Sequence, residues 1–482
     1  MKHQNWALLL FVFFFTGSIV NTSNAQNTTV YPTNIHLQIA GLNSGRVYLT
    51  GVYKNVQSTI DSAQIEAGGD IYFRREKALE TGEYAAILPG GAELQMLMDT
   101  DQVFSLKTSA DDPVRNMQVT GSMENGLLYQ CLQFDEQNRT VFEALDAQIK
   151  ILTESKLDYS QLQAQQMQII QARNKFYNAL YQQHPHALFF AMQRAGQLPA
   201  VEDVRLADGS VDYPARRRLM RDHFWDLVDF DDTRLLRTKV IFSKLISYLD
   251  ELTPPSTGEV TRSIDLLLDR VREKPDYYRF FAVWFAQDYR APEGPFMDPE
   301  AIYIHLVDTY LTRERAFWSD SVQVYAWQLR AEDKWCSLIG QKAQNIEAKD
   351  PEGKTRALYD IKSPYIAVFF YHAECEHCQK EAPKLVQFYQ EWKSKGVEVY
   401  AVAMSTEDGE WKDFIGKYKM DWINVTDQDT PGIYKNYAVP GTPEIYLLNP
   451  DRVIIGKHLR TEHLAWMIEN DRSKMTSIGQ ER

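Results

Sequence analysis

Alternation of apolar and polar positions dominates the first part of the chain. Ile35-His36-Leu37-Gln38-Ile39 puts every second side chain on one face, and residues 46–53 are rich in β-forming side chains. Residues 83–88 and 103–106 continue the pattern, and Gly41-Leu42-Asn43-Ser44-Gly45 is one of the turns between them. A period of two marks half-buried strands. Short strands with frequent turns predict a small antiparallel β-sandwich-like domain over residues 26–118.

Near Gly121 the period lengthens. Residues 127–152, 162–184, 213–227, 233–252, 260–272, 277–287 and 299–311 carry apolar side chains at i, i+3 and i+4, the spacing of a helix face. Breaks fall at Pro254-Pro255, Pro275-Asp276 and Ala291-Pro292-Glu293-Gly294-Pro295. A mostly α domain over 119–334 follows. Beyond Trp335 the two periods alternate. Strands are expected at 366–371, 397–404 and 422–425, and helices at 376–395, 409–419 and 430–437. A hairpin (444–448 with 453–457) turns over Asn449-Pro450-Asp451, and a helix at 461–470 closes the pattern. A βαβ unit followed by a hairpin and a helix builds a mixed sheet with helices on both faces, an α/β domain over 335–482.

Composition narrows the function classes. The net charge of −13 over 482 residues, without a basic stripe, argues against general nucleic-acid binding. Lys2 and His3 precede an apolar run from Trp6 to Val20, and Ala25 offers a small residue for cleavage. That run is shorter than the roughly 20 residues a span needs, so residues 1–25 read as a signal peptide, with an uncleaved anchor as the alternative. No other segment is long and apolar enough to span a membrane.

Cys375-Glu376-His377-Cys378 carries the chemistry. The apolar strand before it and the helix after it deliver Cys375 to a helix start, where free N–H groups and the helix dipole favour a thiolate. Two cysteines three apart can close and reopen a disulfide. A zinc site would need four ligands, and only Cys336, His372 and His377 stand nearby in sequence without a second close pair. Cys131 and Cys336 read as two buried free thiols, although a bridge between them stays open. The acidic run from Asp222 to Asp232 reads as a helix end with a solvated acidic face and an N-cap at Asp231 or Asp232, rather than as a metal or catalytic-carboxylate site.

With these motifs in place, the last 150 or so residues resemble the thioredoxin superfamily, close to its TlpA/ResA-like branch of exported thiol–disulfide oxidoreductases. The branch's CxxCxxExP pattern is matched by Cys375 to Pro383, with Glu381 at the acidic position. Val439-Pro440-Gly441-Thr442-Pro443 matches the cis-proline loop. The resemblance implies that Cys375 attacks a substrate disulfide and Cys378 resolves the mixed disulfide. It implies that Thr442 and a cis Pro443 hold the substrate backbone. It implies no metal and no organic cofactor, a protein or small thiol/disulfide substrate, an upstream redox partner and a periplasmic location.

Two positions depart from the pattern. Glu374 replaces the usual tryptophan before the first cysteine, and Phe369 replaces the buried aspartate of thioredoxin. Glu381 is then the remaining proton acceptor for Cys378, unless it simply faces solvent. A cationic His377 would favour the Cys375 thiolate while Glu374 and Glu376 oppose it, or His377 is exposed and has little influence. His372 reads as a packing residue, and Trp392, Trp411 and Trp422 as side chains packed on the sheet. The order of β domain, helical domain and TlpA-like module also resembles exported bacterial proteins whose helical domain has no assigned function. Two other readings remain at this point: a binding protein using the thioredoxin-like scaffold, and a thiol peroxidase. The latter is weakened by His372, where peroxiredoxin spacing calls for threonine.

Overall fold

The computed structural model describes residues 32–54, 56–289, 297–430 and 432–480. The expected signal peptide and the 291–295 break lie outside the described residues. The described residues open with eight strands: β1 (Thr33–Ala40), β2 (Arg46–Tyr53), β3 (Val56–Gln64), β4 (Asp70–Arg75), β5 (Gly82–Ile87), β6 (Glu93–Met98), β7 (Val103–Ser109) and β8 (Gln118–Thr120). They form two four-stranded sheets, ordered β4-β1-β7-β8 and β3-β2-β5-β6. The alternation in β1 is realised, since Ile35, Leu37 and Ile39 are fully buried. Neighbouring strands run antiparallel except β1 and β7, which are parallel. β3 carries no apolar alternation because it is an edge strand exposed along most of its length.

Nine helices follow among the described residues: α1 (Met123–Glu154), α2 (Ser160–Gln183), α3 (Leu188–Gly196), α4 (Tyr213–His223), α5 (Lys239–Ser247), α6 (Thr257–Arg270), α7 (Pro275–Gln287), α8 (Pro299–Thr309) and α9 (Ser321–Trp335). Ser122 starts α1 by accepting from Asn125 N. In the first turn of α1, Glu124 accepts from Leu188 N at 2.6 Å and Phe189 N at 3.0 Å. A carboxylate there satisfies the free amides of α3 and complements its dipole. The acidic run is a chain of surface pairs: Asp226 with Arg270 and His223, and Asp231 with Lys274. Asp232 caps the following short helical turn. One continuous core runs from Ile35 to Ala331, so sheets and helices share it. Their approach is close at Gly82, where a Cβ would stand 2.7 Å from the Arg237 carbonyl oxygen.

The C-terminal region adds β9 (Glu347–Lys349), β10 (Thr355–Ala357), β11 (Tyr365–Tyr371), α10 (Glu376–Trp392), β12 (Val397–Ala403), α11 (Asp408–Tyr418), β13 (Ile423–Thr426), α12 (Ile433–Asn436), β14 (Glu444–Leu448), β15 (Ile454–Gly456) and α13 (Thr461–Gln480). The sheet order is β10-β9-β13-β12-β11-β14-β15. β11 is an interior strand, parallel to β12 and antiparallel to β14. It is buried on both faces, which is why its sequence is a continuous apolar run rather than an alternation. One face packs under α10, α11 and α13 through Leu385, Trp411 and Leu464, with Trp392 and Trp422 in the same core. The other face packs on Ile346, Leu358 and Tyr437. This is a thioredoxin-like α/β fold. No helix among the described residues is long and apolar enough to cross a membrane.

All four cysteines are free thiols. Cys131 is fully buried, as expected. The expectation of burial is corrected for Cys336, which is only half-covered at the end of α9, with its thiol facing the carbonyls of Asp333 and Lys435.

Candidate active site

Strand register assembles the site. β11 ends at Tyr371, and Phe370 pairs with Glu444, the first residue of β14. The turn leaving β11 therefore lies beside the segment entering β14. Cys375 stands on the first and Thr442-Pro443 on the second. The Thr442–Pro443 peptide is cis, and the Thr442 carbonyl lies 3.3 Å from Cys375 Sγ.

Cys375 is the N-cap of α10. Its backbone is extended, and its sulfur accepts from Cys378 N at 3.4 Å. Partial burial acts to raise its pKa. The Cys378 thiol, the backbone N–H groups of Cys378 and His377, and the Thr442 side chain outweigh that burial, and the pKa falls below the ordinary thiol value. Cys378 lies one turn into the helix and is fully buried. Burial pushes its pKa up to about 12, with the neighbouring Cys375 adding to the effect. The pair is thus strongly asymmetric. One sulfur is accessible and inclined to ionise, and the other is covered and inclined to hold its proton.

The remaining candidates occupy different places. His377 is exposed between the cysteines, and the backbone N–H rather than the imidazole is what it contributes to Cys375. His372 is half-buried in the turn, where Nδ1 accepts from Glu374 N at 3.2 Å. Phe369 is fully buried, so the strand offers no carboxylate at that position. Glu381 is neither solvent-facing nor in hydrogen-bond contact with Cys378. It is 8% exposed, and one oxygen accepts from Thr461 N at 2.8 Å and Thr461 Oγ1 at 2.7 Å. The other faces Lys384 Nζ at 3.3 Å. Burial would raise its pKa, but the bonds from Thr461 and Lys384 win and hold it low. Its carboxylate therefore anchors the start of α13, a role that CxxCxxExP does not reveal because Thr461 lies 80 residues away.

Two further charged residues meet this region unforeseen. Glu444, next after Pro443, accepts from His458 N at 2.6 Å and pairs with His458 Nδ1 at 2.8 Å. Nothing local in sequence connects them.

Comparison with known proteins agrees with this geometry. Residues 339–457 match the AhpC/TSA family, and residues 211–326 match a domain of unknown function (DUF5106). The chain is 30% identical over 125 residues to a thiol–disulfide oxidoreductase ResA of Bacillus cereus, spanning 26% of this chain and 72% of that one. The chain belongs to the ResA-like family of thiol–disulfide oxidoreductases. Among solved structures, it is similar to a domain of a possible thiol-disulfide isomerase from Cytophaga hutchinsonii, at 36% identity and a TM-score of 0.27 over 29% of this chain and 97% of that one. It is also similar to a thioredoxin-like protein from Bacteroides caccae, at 20% identity and a TM-score of 0.48 over 56% of this chain and 97% of that one. As a ResA-like enzyme of thioredoxin type, this chain is an oxidoreductase, and the pure binding-protein reading is not favoured.

Proposed function

We propose that Cys375 is the attacking thiolate and Cys378 the resolving thiol of a disulfide reductase acting on protein or small-molecule disulfides. The carrying observation is the asymmetry of the pair at the α10 N-terminus. Cys375 Sγ⁻ attacks one sulfur of the substrate disulfide. A mixed disulfide forms, and the first substrate thiolate leaves and takes a proton from water. Cys378 then gives up its proton to solvent and attacks Cys375 Sγ. The second substrate thiolate is released and the 375–378 disulfide closes. Two electrons have passed to the substrate, and an external dithiol reductant, the upstream redox partner, must return them.

Thr442 and Pro443 hold the substrate backbone beside Cys375. The position of the Thr442 carbonyl 3.3 Å from the sulfur supports this edge-pairing role. The sequence of residues 1–25 supports export and a periplasmic site of action. The separate cores on the two faces of the C-terminal sheet support a redox domain over 335–482, behind a β region (26–118) and a helical region (119–334) that share one core of their own.

Reduction of a disulfide-bonded peptide, with dithiothreitol regenerating the enzyme, tests the reading. Wild type turns over and Cys375→Ser falls to the uncatalysed background. Full turnover by Cys375→Ser would overturn it. Rapid hydrogen peroxide consumption without peptide reduction would favour a thiol peroxidase instead.

A further inference from the structure

A buried charge cluster joins the helical region to the redox fold. Lys457, the residue after β15, is 1% exposed and lies 2.6 Å from Asp298 Oδ1 and 2.9 Å from Glu300 Oε2. Asp298 and Glu300 stand at the start of α8. The second Asp298 oxygen accepts from Ile339 N at 2.8 Å. Glu300 also meets Lys334 Nζ at 3.3 Å, from α9, and His458 Nε2 at 3.2 Å. His458 passes the contact on, because its Nδ1 and its backbone N–H both engage the Glu444 carboxylate. Glu444 is fixed by register opposite Phe370 and directly follows Pro443.

Three carboxylates thus face two lysines and an imidazole. Burial alone would discharge the imidazole. Glu300 and Glu444 outweigh it and raise the His458 pKa to about 9, so the ring is cationic at neutral pH and bridges both acids. Isolated buried charges are costly and are retained when mutually paired. The last carboxylate in this set belongs to the residue that follows the cis-proline loop.

We propose that Glu300, acting through His458 and Glu444, is a positioning residue for the Thr442–Pro443 loop, so that the helical region builds part of the substrate-binding edge. This rests on the reading of Thr442 and Pro443 as the substrate-holding segment. Glu300 touches neither sulfur and acts on how the substrate backbone is met. Its removal is felt by substrates that need the edge and not by small disulfides that reach Cys375 without it.

The test uses the full chain with two substrates: a disulfide-bonded peptide and 5,5′-dithiobis(2-nitrobenzoic acid). Glu300→Gln raises KM for the peptide about tenfold, as loss of geometric fixation does. Its kcat, its rate with the small disulfide and its Cys375 alkylation rate stay within about twofold of wild type. Glu300→Asp, which retains the charge, recovers part of the peptide KM. His458→Asn tolerates the left-handed backbone at that position (φ 52°). It reproduces the peptide defect and carries the test should Glu300→Gln fail to fold. An unchanged peptide KM in the folded variants would overturn the proposal, as would equal losses on both substrates. Failure of the wild type to reduce either substrate would instead overturn the function proposed above and leave the two failures distinguishable.

Discussion

At the scale of single residues, the decisive contrast is between two sulfurs three positions apart. Cys375 receives backbone N–H groups at a helix start, whereas Cys378 is buried in the core that α10 forms with the sheet. The first environment stabilises negative charge and the second penalises it. Because only the thiolate is alkylated, the pH profile of iodoacetamide labelling reports the Cys375 pKa directly. The rate falls as pH drops through that value. We expect its midpoint below that of an ordinary free thiol measured alongside it, whereas a midpoint at or above that reference would contradict the geometry. The cysteine spacing, the proline loop and the order of strand and helix were all legible in the sequence. The work of Glu381 was not. A carboxylate in the right motif position suggests proton transfer, but its partner Thr461 becomes a neighbour only when α13 folds back over α10.

At the scale of elements, carboxylates remote in sequence act as fasteners for helix starts, among them Glu124 for α3 and Glu381 for α13. Removing Glu381 strands the Thr461 amide and hydroxyl in a buried setting. Glu381→Ala is expected to destabilise the C-terminal unfolding transition by about 1–3 kcal/mol. Glu381→Gln, whose amide oxygen can still accept from Thr461, costs less. Urea unfolding followed by tryptophan fluorescence measures both. Unaltered stability together with lost turnover would assign the residue to proton transfer instead. Elements with strong periodicity, such as α1 and β1, were readable along the chain. α2, expected over 162–184, runs from Ser160 to Gln183. β3 shows the limits: its exposed edge lacks apolar alternation, so strand pairing and not pattern places it.

At the scale of the whole molecule, the sequence revealed the order of β, helical and α/β regions but not their joints. The shared core from Ile35 to Ala331 and the Asp298–Glu300–Lys457–His458–Glu444 cluster both join distant parts of the chain, and Glu300 and His458 stand 158 positions apart. No local pattern encodes such a meeting. The consequence is a redox fold held to its helical neighbour through buried charge.

The central claim is that Cys375 attacks and Cys378 resolves. Mass spectrometry under non-reducing conditions, after mixing single-cysteine variants with a disulfide-bonded peptide, tests it most directly. Cys378→Ser should accumulate a peptide adduct on Cys375, while Cys375→Ser should form none. An adduct on Cys378, or equal labelling of both variants, would contradict the account.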